Sequence, residues 1–500
     1  MLGTYFTFPE LLIWLPLVAG ILCFFLRKGE AAKNVAVFSS IVIFAVSLIS
    51  LLYTEDKFSS YNNASYYWMK YIGSTFYVGL DGTSRILTLL TAIAFPIIFI
   101  AGYNNKIKNA GSFFGLMLLT QSGIMGVFCS MDALLFYFFW ELAIIPVYFL
   151  CSMWGGEKRI KTTFKFFVYT FTGSLLMLTG IIFVYLHTPG RTFDDGTFSQ
   201  HSFAFASFFN THLPAAQQNW LFWLFFVAFA IKMPVFPFHT WQPDTYDQAP
   251  TSVTMVLSGL MVKMGLFGVI RWLIPLFPLA TVHFSHIVMI LCIMGILYAS
   301  CIAIVQDNLK KMVAYSSIAH IGLMCAAIFA MNNLSVQGVM IQMFNHGINI
   351  IGLWIIFDLL ERKTGVKHIS QLGGVAQKAP VLTIFMVIIA LANIALPLTN
   401  AFVGEFMMFG GIFQFSPWYS FAAIISIILA AVYMLNMIRK VFYGNTNAVT
   451  EKMKDISVNE KVILTVVIVL IFMVGIYPQP MISLTKDAAQ ELVKFVITAK

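Results

Sequence analysis

Stretches of about 20 mostly apolar residues recur along the whole chain, and each has the length a helix needs to cross a bilayer. Fourteen of them are centred near residues 18, 44, 94, 121, 142, 174, 229, 262, 292, 320, 347, 395, 429 and 470. Short polar connections separate most; residues 54–83 and 187–218 are longer and too polar to span. The pattern predicts an all-α polytopic membrane protein of about 14 transmembrane helices. The leading stretch, residues 1–27, has no basic n-region and no small-residue cleavage site, so it reads as a span and not as a cleaved signal. The final stretch, residues 481–500, sets Ile482, Leu484, Leu492, Val493 and Val496 among Lys, Asp and Glu. That pattern predicts an amphipathic helix lying on the outer surface.

Composition agrees. Hydrophobic residues make up 59% of the 500 and charged ones 10%, where a soluble domain carries about a quarter charged. The bilayer is the solvent for this chain, and the 50 Phe suit a lipid-facing exterior. The net charge of +9 raises the question of nucleic acid, but the distribution answers it. Nineteen Lys and Arg fall in the odd-to-even connections, clustered at 27–33, 106–108, 158–161, 310–311, 362–378 and 439–461. Six fall in the opposite connections and the tail: Lys57, Lys70, Arg191, Lys486, Lys494 and Lys500. The positive-inside rule then predicts both termini on the outer face of a bacterial inner membrane, with no nucleic-acid partner. The six Cys form no C-x-x-C pair, which excludes disulfide frameworks, zinc sites and iron–sulfur clusters. No G-x-G-x-x-G follows a strand pattern, so no dinucleotide site is expected either.

Five cations remain inside the spans. Arg85 and Arg271 sit near span ends and are expected to snorkel to the headgroups, and Lys165 is shallow enough to do the same. Lys232 and Lys263 have long apolar runs beside them and cannot. A charge at that depth costs roughly 2.5–3.5 kcal/mol on insertion scales unless it meets a partner or a polar cavity. The acidic partner in view is Glu141 on the fifth span. A static ion pair would account for one lysine but not for two. His320, His346 and Glu405 continue the row on later spans. Two His can also ligate a heme iron, but these share their row with acids and bases, which fits a proton relay better.

Proline interrupts two of the spans. The seventh carries Pro234 and Pro237 just after Lys232, and the twelfth carries Pro397 ahead of Glu405. Non-helical backbone at membrane depth persists only where protein buries it or water lines it. The breaks are five spans apart, so spans 4–8 and 9–13 read as two five-helix units, and an odd helix count inverts the second. The expected divisions are residues 1–110 (three spans and an outer loop), 111–275 and 276–445 (the two repeats, each a half-channel), and 446–500 (the last span and the tail).

Several of these segments resemble one family: Phe139-Trp-Glu141-Leu, the run from Lys232 through Pro234 and Pro237 to Trp241, Gln248-Ala-Pro-Thr251, Lys310-Lys-Met-Val-Ala-Tyr-Ser-Ser317 and Gly404-Glu405. They look like the proton-conducting antiporter-type membrane subunits of respiratory complex I over roughly residues 80–440. The resemblance implies broken seventh and twelfth helices, a coupled Glu141–Lys232 pair, Lys263 as central relay, His320 and His346 as its continuation, and Glu405 as the exit-side group. It also implies L- and N-type neighbours in the bilayer, with NADH, FMN, iron–sulfur clusters and quinone held by partner subunits. Glu at 405, where the L and N types carry Lys, resembles the M type, and the absence of a long lateral helix sets the L type aside. The chain departs from the family at Trp241-Gln-Pro-Asp-Thr-Tyr246, where relatives often end in His; His239, nearby, is the candidate replacement for proton uptake. Two other transport classes share the pattern: the D-type membrane component of a multisubunit sodium/proton antiporter, and the membrane subunit of a proton-pumping hydrogenase complex.

Overall fold

The computed structural model describes residues 6–53 and 61–498; the first five residues, Lys57 and Lys500 lie outside them. Among the described residues, twelve helices are long and apolar enough to cross a membrane uninterrupted. They are Phe8–Phe25, Gly29–Ser50, Gly82–Ala101, Ala110–Cys129, Ala133–Trp154 and Arg159–Tyr185 (spans 1–6), Thr251–Leu276, Pro278–Val305, Leu309–Phe329 and Asn333–Thr364 (spans 8–11), and Pro417–Val441 and Val458–Ile476 (spans 13 and 14). The two remaining crossings are interrupted. Span 7 is Ala215–Lys232 followed by Gln242–Gln248, and span 12 is Pro380–Asn393 followed by Asn400–Phe415.

The connections sort onto two faces. On one, Lys33 Nζ donates to the Tyr103 and Asn105 carbonyls at 2.8 and 2.9 Å, and Gly156 N–H to the Gln248 carbonyl at 2.8 Å. There too, Leu309 N–H donates to the Lys367 carbonyl at 3.0 Å, and Ala376 N–H to the Phe442 carbonyl at 2.8 Å. All are odd-to-even connections, so the basic clusters share this face. On the other, Met131 N–H donates to the Tyr77 carbonyl at 2.9 Å and Ala133 N–H to the Phe203 carbonyl at 2.8 Å. The alternation thus holds in three dimensions, and span 7 runs opposite to span 12, as inverted five-helix units require.

The two long polar connections carry structure that their mixed pattern does not announce. Residues 63–79 form an antiparallel hairpin of β1 (Asn63–Met69) and β2 (Ser74–Gly79); β3 (Arg191–Thr192) and β4 (Phe198–Ser199) pair in the second connection. Tyr67 Oη donates to Asp194 at 2.9 Å and Lys70 pairs with Asp195, tying the two together. The amphipathic segment is a helix, Gln479–Thr498, packed across spans 3 and 11 through a face that includes buried Leu492, Val493 and Val496.

Each break satisfies its own backbone. Pro234 cannot donate to the Ala230 carbonyl, so Val235 N–H takes it at 3.0 Å, and Trp241 Nε1 donates to the displaced Ile231 carbonyl at 2.9 Å. In span 12, Leu396 N–H reaches back to the Leu391 carbonyl at 3.0 Å, and the Ala392 carbonyl accepts from Ala395 N–H at 3.2 Å and from Asn349 Nδ2 on span 11 at 3.3 Å. Asn345 Nδ2 donates to the Asn400 carbonyl at 2.7 Å, and Ala395 and Leu398 hold positive φ of 56° and 75° in between. Spans 8 and 11 are enclosed on all sides by the rest of the chain, whereas only 28% of spans 2 and 14 is buried inside it.

Arg85 and Arg271 do not snorkel. Arg85 is buried and donates to the Ser50 and Tyr53 carbonyls at the frayed end of span 2. Arg271 pairs with Asp81, the N-cap of span 3. Both partners are supplied by other elements, so local depth alone misplaced the two side chains.

Candidate functional site

Lys263 stands at the middle of the enclosed span 8, where the helix widens into π turns at 257–261 and 269–273. Its Nζ donates to the Ser258 carbonyl at 2.9 Å and bonds His346 Nδ1 on span 11 at 2.8 Å, and the residue has no solvent exposure. The His346 ring lies 5.6 Å from that of His320 on span 10. His320 Nδ1 is 3.2 Å from Glu405 Oε1 on span 12, and Gln342 Nε2 donates to the same oxygen at 3.3 Å. The sequence pattern sets Lys263, His346, His320 and Glu405 in one row, and in space they form a chain of near neighbours. The Nε2 atoms of both His are buried and have no protein partner.

Gly404 makes the last contact reachable: a Cβ there would lie 2.5 Å from the Gln342 Oε1 atom. Spans 7 and 8 approach in the same way. A Cβ on Gly265 would sit 2.8 Å from the Phe229 carbonyl and from Met233 Cβ, which brings the break after Lys232 close against the turn that carries Lys263.

Glu141 and Lys232 are electrostatic neighbours and not a contact pair. No ion pair within 4 Å joins them among the described residues. Lys232 is 2% exposed, its Nζ has no hydrogen-bond partner, and it lies 5.6 Å from the Trp140 ring centroid. Glu141 has Ser174 and Lys232 as its polar neighbours, and its Oε1 is likewise unpartnered. An unpaired buried charge is expensive, which leaves both groups sensitive to small shifts in separation.

A basin of about 1280 Å³ opens on the basic face and is lined by Lys161, Lys165, Asp244, Asp247, Lys311 and Lys367, among others. Lys165 pairs there with Asp244 at 3.0 Å and donates to the Thr240 carbonyl at 2.7 Å, so it faces the basin and not the headgroups. His239 sits within the break itself, buried, with Nδ1 unpartnered and its ring 5.3 Å from that of Tyr298. The polar residues Gln342, Asn345 and Asn349 were missed at the sequence level. Their spacing with His346 along one helical stripe was the available signal.

Interrupted spans packed beside buried ionisable groups define a polytopic helical membrane protein of the inverted-repeat class. The chain belongs to the NADH:quinone oxidoreductase/Mrp antiporter transmembrane family, which matches residues 130–476. It is 36% identical to the NADH-quinone oxidoreductase subunit M of Rickettsia conorii, over 97% of this chain and 98% of that one. A chain of respiratory complex I from Thermus thermophilus superposes with a TM-score of 0.88 at 26% identity, covering 97% of this chain and 99% of that one. A chain of the Mrp complex from a Dietzia species gives 0.82 at 15% identity, covering 98% and 99%, which shows the shared fold alone.

Proposed function

We propose that this chain is the M-type proton-translocating membrane subunit of an NADH-quinone oxidoreductase, a multi-pass protein of the bacterial inner membrane that works beside L- and N-type neighbours. The observation that carries the reading is the row from Lys263 through His346 and His320 to Glu405, four ionisable groups on four spans, joined by short contacts at each end and by two His rings 5.6 Å apart in the middle. The 36% identity to a subunit M over nearly the full length supports the assignment. The basic face is cytoplasmic and both termini lie outside, in accordance with the positive-inside rule. Residues 111–275 and 276–445 are the two half-channels, flanked by residues 1–110 and 446–500.

Protons enter from the basin past Lys165 and His239 to Lys232. Ionised Glu141 favours the protonated form of Lys232; when that influence weakens, Lys232 releases its proton toward Lys263. Lys263 hands it to His346 Nδ1 along their direct hydrogen bond. The imidazole receives on one nitrogen and releases from the other, and His320 repeats the step toward Glu405, which discharges to the outer face. Pro234, Pro237 and Pro397 create the breaks that let polar groups and hydration reach these positions. No covalent or redox chemistry takes place in the chain; NADH, FMN, iron–sulfur clusters and quinone belong to partner subunits.

The fold shared with the Mrp complex keeps a second reading in view, a sodium/proton antiporter component. Purification of the tagged chain in mild detergent separates the two. Co-purified flavin and iron–sulfur subunits with NADH:quinone turnover are expected; membrane subunits alone, inert to NADH but exchanging sodium for protons in vesicles, would overturn the assignment.

A further inference from the structure

Among the cavities that the row does not use, one reaches toward it from the basic face. About 460 Å³ in volume, it opens on the basic face where the connections after spans 9 and 11 meet the end of span 13. Its wall holds Asp307, Ser370, Asn436 and Lys440, and its inner end is Tyr433. Tyr433 lies seven residues inside Lys440, which is about 10 Å deeper along the helix. The same residue closes a second, smaller chamber of about 10 Å³, on the order of one water's worth of space, whose wall includes His320 and Glu405. Tyr433 is thus a partition with the basic face on one side and the Glu405 carboxylate on the other.

The partition is polar where it counts. Tyr433 is 2% exposed, and its hydroxyl shares a 2.7 Å hydrogen bond with Ser316 Oγ on span 10. Asn393, the last helical residue before the break in span 12, donates to that serine at 3.4 Å. A buried tyrosine often bonds a hydroxyl simply to satisfy itself. A tyrosine that bonds for that reason alone has no cause to stand between a solvent-facing cavity and a buried carboxylate.

We propose that Glu405 has its own inlet from the basic face, which bypasses Lys232 and Lys263 and passes protons through the Tyr433 hydroxyl. In the transfer, Tyr433 gives its phenolic proton toward the Glu405 carboxylate and takes the incoming one on the same oxygen, so the ring stays neutral. Rotation about the Cζ–Oη bond, with Ser316 as the alternate partner, resets it. The inference rests on the reading of Glu405 as a proton carrier.

The test uses the assembled complex in vesicles with the basic face outward. Asn436→Cys is treated with a charged, membrane-impermeant thiol reagent, and protons pumped per NADH are compared before and after, and again after reduction. Glu405→Gln and Tyr433→Phe are measured alongside, with thermal melting as the check on packing. Expected is rapid modification of Asn436→Cys, a reversible fall in pumping absent from the parent chain, and a loss in Tyr433→Phe that is smaller than that in Glu405→Gln, because the Lys263 row still feeds Glu405, at an unchanged melting temperature. A cysteine that resists the reagent overturns the inlet. So does full modification with no change in pumping, or a Tyr433→Phe complex that pumps like the parent while Glu405→Gln fails. Parent-level pumping in Glu405→Gln would instead remove the underlying reading of Glu405.

Discussion

Replacement of Lys263 by Arg separates two things this residue supplies, a positive charge and an exchangeable proton. The side chain is fully enclosed, with Nζ 2.9 Å from the Ser258 carbonyl and 2.8 Å from His346 Nδ1. A guanidinium can keep the charge and both contacts, at an overpacking cost of about 1–3 kcal/mol. It cannot keep the chemistry. Arg holds its proton throughout the physiological range, so at pH 7 the neutral form that a relay step needs is all but absent. Lys263→Met is the companion variant: it fills a similar volume but leaves the Ser258 carbonyl and His346 Nδ1 without their donor, about 1–3 kcal/mol each. The assay is protons translocated per NADH in proteoliposomes, with uncoupled NADH oxidation as the measure of assembly. Both variants are expected to assemble and to lose the share of translocation that passes through Lys263, Arg as completely as Met. Wild-type pumping by Lys263→Arg would refute the reasoning, since a fixed charge would then suffice.

Two further perturbations follow from the geometry around the breaks. Asn345→Leu removes the amide that holds the Asn400 carbonyl, so the complex should melt lower, by an amount equivalent to about 1–3 kcal/mol, and differential scanning fluorimetry would read it. Gly265→Ala places a methyl 2.8 Å from the Phe229 carbonyl and Met233 Cβ; it should push spans 7 and 8 apart and lower pumping per NADH more than it lowers uncoupled turnover.

The number and position of the crossings were legible because bilayer thickness imposes a length on every apolar run, whether or not proline interrupts it. Pro234 and Pro397 divide the two interrupted crossings into shorter segments without moving them along the chain. The membership of the central row was legible too, since an ionisable residue at depth is rare enough to stand out. Its contacts were not. That Lys263 meets His346 depends on the π turns of span 8, which no periodicity in Leu-Ser-Gly-Leu-Met reveals. Arg85 and Arg271 were misjudged because their partners, the Ser50 and Tyr53 carbonyls and the Asp81 cap, come from elements distant in sequence or from frayed backbone. The β1–β2 hairpin was hidden for a related reason: its strands alternate poorly, and their order comes from pairing and from the Tyr67 and Lys70 contacts to the second outer connection.

Glu141→Gln offers the most direct test of the central claim, that protons cross this chain along its buried ionisable row under electrostatic control. Glu141 accepts no hydrogen bond at Oε1 and touches no cation within 4 Å among the described residues, so the amide removes charge with little change in packing. The account predicts an assembled complex with intact uncoupled NADH oxidation and fewer protons translocated per NADH. An unchanged proton ratio would contradict it.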